Sequence, residues 1–193
     1  MGRGRLEAFS DGVFAILITI MVLELKVPHG AGFADLAGIA PQLFTYALSF
    51  VFVGIYWNNH HHLLHTVDRT TGGMMWANLF LLFWISLFPF GCNWIDESDF
   101  GPLPVAFYTF DLLMAAVAYY ILTCTIRASH GKSSVLAEAV GTPWKEYLSI
   151  AFYLAAIAVA YWSTAVSMAL LVVVAGMWLI PDRRIERVIG AEG

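Results

Sequence analysis

Apolar runs about as long as a membrane-spanning helix recur along the 193-residue chain. Helices of about 17 to 25 residues cross a hydrocarbon core about 30 Å thick, and no alternating strand pattern competes with this reading. The pattern therefore predicts one unit, covering residues 1–193, with six transmembrane helices at residues 6–26, 41–63, 73–95, 103–126, 145–161 and 164–180. The last two spans are expected to share a tight turn near Trp162, Ser163 and Thr164.

Composition places the chain among all-α integral membrane proteins. Hydrophobic residues make up 60% of the sequence, charged residues 12%, and the mean hydropathy is +0.73, values that a soluble domain rarely reaches. No nucleotide-binding loop, nucleophile elbow or nucleic-acid module is visible. We therefore expect neither an enzyme nor a partner of nucleic acid, but a multi-pass protein whose surroundings are membrane lipid.

Basic residues predict the topology. With six spans, nine Lys and Arg residues collect on one side and only Lys26 falls on the other, and the positive-inside rule assigns the basic side to the cytoplasm. Both termini are therefore predicted to be cytoplasmic. The nine residues are Arg3, Arg5, Arg69, Arg127, Lys132, Lys145, Arg183, Arg184 and Arg187.

The first span has two different faces. Counting about 100° per residue from Ile16 places Thr19, Ile20 and Leu23 within about 60° of it, whereas Ser10 and Asp11 are turned away by about 120° or more. An aliphatic stripe of this kind is typical of a lipid-facing or packed helix surface. Placing an ionisable group at membrane depth costs free energy, and such groups commonly mark a functional site. The polar N-terminal turns of this helix are therefore candidates for a functional role.

The polar motif of the first span resembles a known family signature. Arg5-x-x-x-Phe9-Ser10-Asp11, followed by Gly-Val-Phe-Ala and Ile16, is similar to the opening of the transmembrane protein 175 family of potassium channels. Trp57-x-x-His60 in the second span, and Asn78 followed eleven residues later by Pro89-Phe90 in the third, resemble the other landmarks of that family. The resemblance covers one six-helix unit, as in the prokaryotic branch.

Fold and function follow from this resemblance as expectations. It implies a homotetramer in the prokaryotic plasma membrane, in which the first helix of each subunit lines a pore permeable to K+ and, with modest discrimination, to other monovalent cations. Ile16 would form a hydrophobic constriction or gate, Thr19 a neighbouring hydroxyl layer, and Ile20 and Leu23 further apolar rings. No TVGYG sequence occurs, so no P-loop selectivity filter is expected, and no cofactor is implied.

The remaining motif residues are expected to be structural. Because they turn away from the stripe, Ser10 and Asp11 are predicted to form a polar network at the cytoplasmic side with Arg5, His60 and Asn78. Phe9 and Trp57 complete this set of motif residues. The rival hypothesis is that Asp11 is a titrating proton or ion site, as intramembrane carboxylates often are.

Two further groups of polar residues occur in the sequence, one of histidines and one of acids. His61, His62 and His65 have a spacing that can bind metal, but no Cys or carboxylate pattern completes a ligand set, so a polar helix end without metal is the preferred interpretation. Asp96, Glu97 and Asp99, in the outer loop between spans three and four, have no basic residue nearby in sequence. They could form an acidic rim that concentrates cations at a pore mouth, although a solvated loop is the commoner origin of such a group.

Two other functional classes are compatible with the sequence. An ion- or proton-coupled secondary transporter would use Asp11, Glu24 or Asp111 as coupling sites. A membrane-embedded metalloenzyme would use the histidines. Cys92 and Cys124 both lie in apolar segments, which favours buried packing over a disulfide.

Overall fold

The computed structural model describes residues 2–67, 69–130 and 144–179, and all of its regular structure is helical. Lys132, Arg183, Arg184 and Arg187, which entered the topology prediction, lie outside the described residues. The described helices are α1 (Arg3–Leu23), α2 (Phe33–Gly38), α3 (Ala40–His65), α4 (Gly72–Ile85), α5 (Phe88–Glu97), α6 (Pro102–His130), α7 (Trp144–Ala160) and α8 (Thr164–Leu179).

Four stretches of the described chain are long and apolar enough to cross a membrane: α1, α3, α4 together with α5, and α6. The all-helical class is thus confirmed. Helices α7 and α8 contain 17 and 16 residues, and the turn predicted between them is present at residues 161–163. Within that turn the Val166 amide donates to Ser163 Oγ over 3.3 Å, which satisfies an otherwise unpaired amide at the start of α8.

The third predicted span, residues 73–95, corresponds to the apolar stretch Gly72–Glu97, whose helix is interrupted at Ser86 and Leu87. Helix α4 ends at Ile85 and α5 begins at Phe88. Pro89 lies in the first turn of α5, where it lacks the amide hydrogen that would bond to the carbonyl of Ile85. Ser86 Oγ donates to the Phe83 carbonyl over 2.7 Å, which supplies one of the bonds that the break removes.

Helix α6 forms the centre of the bundle, because α4, α5, α7 and α8 all contact it. Its inward positions recur every three or four residues, as expected for one face of a helix, and are almost fully buried: Tyr108, Leu112, Ala115, Ala118, Leu122 and Ile126. The Tyr108 hydroxyl and Ser49 Oγ lie 2.7 Å apart in a buried hydrogen bond. This bond fixes the Tyr108 ring between α3 and α5.

Helix α1 packs against α3, α4 and α5 through one face only. The buried positions on that face are Leu6, Ser10, Phe14, Leu17 and Met21. Short helix α2, which the sequence pattern did not predict, lies between α1 and α3. It begins where the Gly32 amide donates to Asp35 Oδ2 over 3.0 Å.

Gly91 allows the close approach of α5 and α6 and provides a test of this packing. A Cβ atom at Gly91 would lie 2.8 Å from Tyr108 Cδ2, and the Tyr108 ring is completely buried. We expect Gly91→Ala to destabilise the protein by about 1–3 kcal/mol, because overpacking forces neighbouring groups to shift. Gly176→Ala is the control, since a Cβ there would meet no atom within 4 Å. Equal thermal unfolding midpoints for the two variants in detergent would contradict this account.

Candidate functional site

The aliphatic stripe lies on the side of α1 that no other part of the described chain covers. Ile16 is 60% exposed, Leu23 is 76% exposed, and Ile20 is also exposed. The buried face of α1 is centred about 120° away from Ile16 by the helical count. Thr19 is exposed with them, and its hydroxyl donates to the Ala15 carbonyl over 2.9 Å. The Thr19 oxygen therefore keeps its lone pairs available on this surface.

A buried chain of hydrogen bonds connects α3, α4 and α1. Asn78 Nδ2 donates to Ser10 Oγ over 3.0 Å, and Ser10 Oγ donates to the Leu6 carbonyl over 2.9 Å. His60 Nε2 lies 2.7 Å from Asn78 Oδ1. Because an amide oxygen only accepts, this pairing requires that Nε2 carries the proton. The structure thus brings together Ser10, His60 and Asn78, all fully buried, as the sequence predicted.

Asp11 has a different partner from the one predicted. The Trp57 indole N–H donates to Asp11 Oδ1 over 3.0 Å, and this second contact joins α1 to α3 beside the buried chain. Phe9 and Trp57 are both substantially exposed. Phe9 therefore lies at the surface of a single chain and not in its core. Trp57 is also exposed, but its indole binds the Asp11 carboxylate.

The structure does not bring Arg5 to this network. Arg5 is exposed and makes no ion pair with Asp11 among the described residues. The reason is angular: Arg5 and Asp11 are six residues apart and point about 120° away from each other, whereas Arg5 lies within about 20° of Ile16. The predicted Arg5–Asp11 contact is therefore wrong for a single chain, and Arg5 belongs to the uncovered side of α1.

Glu7 was missed by the sequence analysis and proves to be the acidic partner of the histidines. Its Oε1 lies 3.0 Å from His61 Nδ1 and 3.6 Å from His65 Nε2. The expectation that no carboxylate accompanies these histidines is therefore wrong. The helical count could have revealed Glu7, because it lies on the same side of α1 as Ser10, about 60° away.

The acidic outer segment also differs from expectation. Lys26, which follows α1, forms an ion pair with Glu97 at the end of α5, so a basic residue does lie beside this group in space. Asp96 is half-buried and Asp99 is exposed. Asp99 has a φ of 50°, in the left-handed region. Of the three acids, Asp99 is the one whose exposed charge has no basic partner among the described residues.

The other carboxylates considered as coupling sites are separated in the structure. Glu24 caps the end of α1 and is exposed. Asp111 is fully buried in α6, and neither of its carboxylate oxygens has a hydrogen-bond partner among the described residues. Asp11 lies thirteen residues before Glu24 in the sequence, and Asp111 lies on a different helix, α6.

Comparison with known proteins places these residues in a family context. A family model described as the endosomal/lysosomal potassium channel TMEM175 matches residues 5–89, which include most of α1, all of α3 and α4, and every member of the buried hydrogen-bond chain. A potassium channel of Chryseobacterium sp. (strain P1-3) is 52% identical over 187 residues, which are 97% of each chain.

Two less similar proteins also match this chain. The endosomal/lysosomal proton channel TMEM175 of Danio rerio is 34% identical over 113 residues, which are 52% of this chain and 22% of that protein. The crystal structure of a lysosomal potassium-selective channel TMEM175 homolog from Chamaesiphon minutus has a TM-score of 0.81 and 27% sequence identity, with 92% of this chain and 96% of that chain covered. These similarities favour a channel over a secondary transporter.

Removing Asn78 tests the buried hydrogen-bond chain. We expect Asn78→Ala to lower stability by about 1–3 kcal/mol, because it leaves His60 and Ser10 without a shared partner in a buried site. Asn58→Ala on the exposed surface of α3 is the matched control and should change stability by less than about 0.5 kcal/mol. The measurement is the thermal unfolding midpoint of the purified protein in detergent. Equal midpoints would show that the hydrogen-bond chain contributes nothing to stability.

Proposed function

The chain belongs to the TMEM175 family, a family of ion channels and not of enzymes, and on this premise we propose that it is a potassium-permeable cation channel assembled from four copies. In this proposal each chain crosses the plasma membrane six times and keeps both termini in the cytoplasm. Helix α1 of each copy lines a common axis. The permeating species are K+ and, with modest discrimination, other monovalent cations.

The observation that carries this proposal is the uncovered aliphatic stripe of α1. The opposite face of the same helix is buried against α3, α4 and α5 and is fixed there by Ser10 and Asp11. One chain supplies one such stripe, so a pore requires several copies around an axis. The similarity to a channel structure over nearly the whole chain supports this arrangement. If the chain acted alone, the same stripe would face lipid.

Ile16 is the proposed constriction. A ring of Ile16 side chains offers no ligand atoms, so an ion passing it must shed part of its hydration shell, and a narrow apolar neck can also close by dewetting. K+ holds its water less tightly than Na+, so the free-energy cost of partial dehydration in such a neck is lower for K+. Thr19, one turn further along the helix, would present hydroxyl oxygens to the ion, while Ile20 and Leu23 would form further apolar rings.

We also propose that Asp96, Glu97 and Asp99 form an acidic rim at the outer mouth. Because Lys26 pairs with Glu97, the charge at this position is partly compensated, and the field that could concentrate cations is weaker than three free carboxylates would create. Asp99 would contribute most, since it is exposed, while Asp96 is half-buried. Each copy of the assembly would bring its own set of these residues to the outer side.

Truncating Ile16 tests the constriction directly. In liposomes with K+ or Na+ gradients, we expect Ile16→Ala and Ile16→Asn to raise K+ flux several-fold and to bring the K+/Na+ flux ratio closer to one, because both changes widen or wet the neck. Val22→Ala is the matched control: Val22 is exposed on α1 but lies about 120° from Ile16. Unchanged flux and selectivity in both Ile16 variants would remove Ile16 from this role.

The assembly state is tested independently of ion flux. Native mass spectrometry of the purified protein in detergent should show four copies of the 21.4 kDa chain, because the uncovered α1 stripe is expected to be buried only when copies meet around an axis. A monomer that still conducts K+ after reconstitution would contradict the shared-axis pore. A different number of copies would correct the stoichiometry.

A further inference from the structure

Three side chains with metal-ligating atoms meet where the start of α1 packs against the end of α3. They are Glu7, His61 and His65, which we call the Glu7 cluster. Glu7 Oε1 lies 3.0 Å from His61 Nδ1 and 3.6 Å from His65 Nε2, and all three ligand atoms lie within 4.8 Å of one another. The cluster takes no part in the pore proposed above.

The two histidines occupy one face of α3 because they are four residues apart. Their rings are 4.4 Å apart between centroids and meet edge to face. Glu7 comes from the neighbouring helix and is largely enclosed, since only 16% of its side chain is exposed. The histidine side chains are 40% and 50% exposed, so the cluster opens to solvent on one side. An ion could therefore enter without rearrangement of the helices.

Neighbouring residues hold the ligands in place. The His61 ring stacks on Trp57 with 6.1 Å between centroids and 25° between planes. Trp57 is itself fixed by its hydrogen bond to Asp11. Arg3 Nη1 donates to the His65 carbonyl over 3.2 Å, which ties the last turn of α3 to α1. Such supporting contacts orient metal ligands in the metal-free protein.

The donor set matches zinc better than other common divalent ions. Two imidazoles and one carboxylate form a three-ligand zinc site that leaves a fourth position for water, whereas Mg2+ and Ca2+ prefer oxygen ligands throughout. Tetrahedral zinc with bonds of about 2.0–2.1 Å separates neighbouring ligand atoms by about 3.3 Å. The distances from Glu7 Oε1 to His61 Nδ1 and to His65 Nε2 lie on either side of that value.

We propose that the Glu7 cluster binds one Zn2+ ion per chain, or a related first-row transition metal, and thereby connects α1 to α3. The proposal goes beyond channel activity and does not depend on whether α1 lines a pore. The competing explanation is that the two histidines only make polar contacts with one carboxylate. Both explanations use the same contacts, so metal binding itself must be measured.

The test uses the full chain, purified in detergent with an affinity tag that contains no histidine and stripped of metal by a chelator. Isothermal titration with ZnCl2 should give one site per chain, and an excess of Mg2+ or Ca2+ should leave it unchanged. Glu7→Gln and His65→Gln should each weaken binding by at least about tenfold. His62→Gln, which alters an exposed neighbour outside the cluster, and His29→Gln in the α1–α2 loop are the matched controls and should bind as wild type does.

A second measurement keeps the proposal testable if a variant fails to fold. Co2+ added to the wild-type protein should give the intense visible absorption of a tetrahedral site, and Zn2+ should abolish that absorption by displacement. Wild-type protein that binds no Zn2+ below about 100 μM and gives only the weak spectrum of octahedral Co2+ would overturn the proposal. Equal weakening by His62→Gln and His65→Gln would overturn it as well.

Discussion

The bilayer interior offers no water to a polar side chain, and this constraint fixes how α1 is rotated in the bundle. His60, Asn78 and Ser10 satisfy one another across three helices, and Ser10 ends the chain on a carbonyl of its own helix. If α1 turned by a third of a revolution, Ser10 would leave Asn78, and the buried Asn78 Nδ2 would lose its acceptor. In one of the two senses, the same rotation would bring Ile16 onto the buried face, so the buried hydrogen bonds help to determine which face of α1 remains open.

Much of this arrangement follows from the sequence because helices have a fixed angular period. The apolar runs specify the element type, and the count of 100° per residue separates Ile16 from Ser10 on α1. The meeting of Ser10, His60 and Asn78 was also predictable, since a polar residue in each of three apolar helices must find partners inside the protein. The family motif supplied their identities, and the structure supplies the distances.

Other features depend on side chains that only three dimensions bring together. Glu7 contacts two histidines that lie 54 and 58 residues further along the chain, and the local spacing of the histidines does not indicate a carboxylate. Lys26 reaches Glu97 in the same way. The Arg5–Asp11 contact failed for a simpler reason: the motif was treated as one polar group, although helical geometry already separates its first and last residues. The break before Pro89 was similarly hidden within a continuous apolar run.

Within one chain, the hydrogen bonds and ion pairs between α1 and its neighbouring helices are concentrated near the N-terminal end of α1. Arg3, Glu7, Ser10 and Asp11 make all of the side-chain hydrogen bonds and ion pairs between α1 and other helices in the described chain, whereas no side chain of residues 12–23 makes such a bond to another described helix. Directional bonds resist sliding, while dispersion contacts between aliphatic groups tolerate small displacements. The first three turns are therefore held in place by these bonds, and the rest of the helix can change its tilt relative to them at lower energetic cost. Any motion of this helix is consequently expected to grow with distance from Asp11.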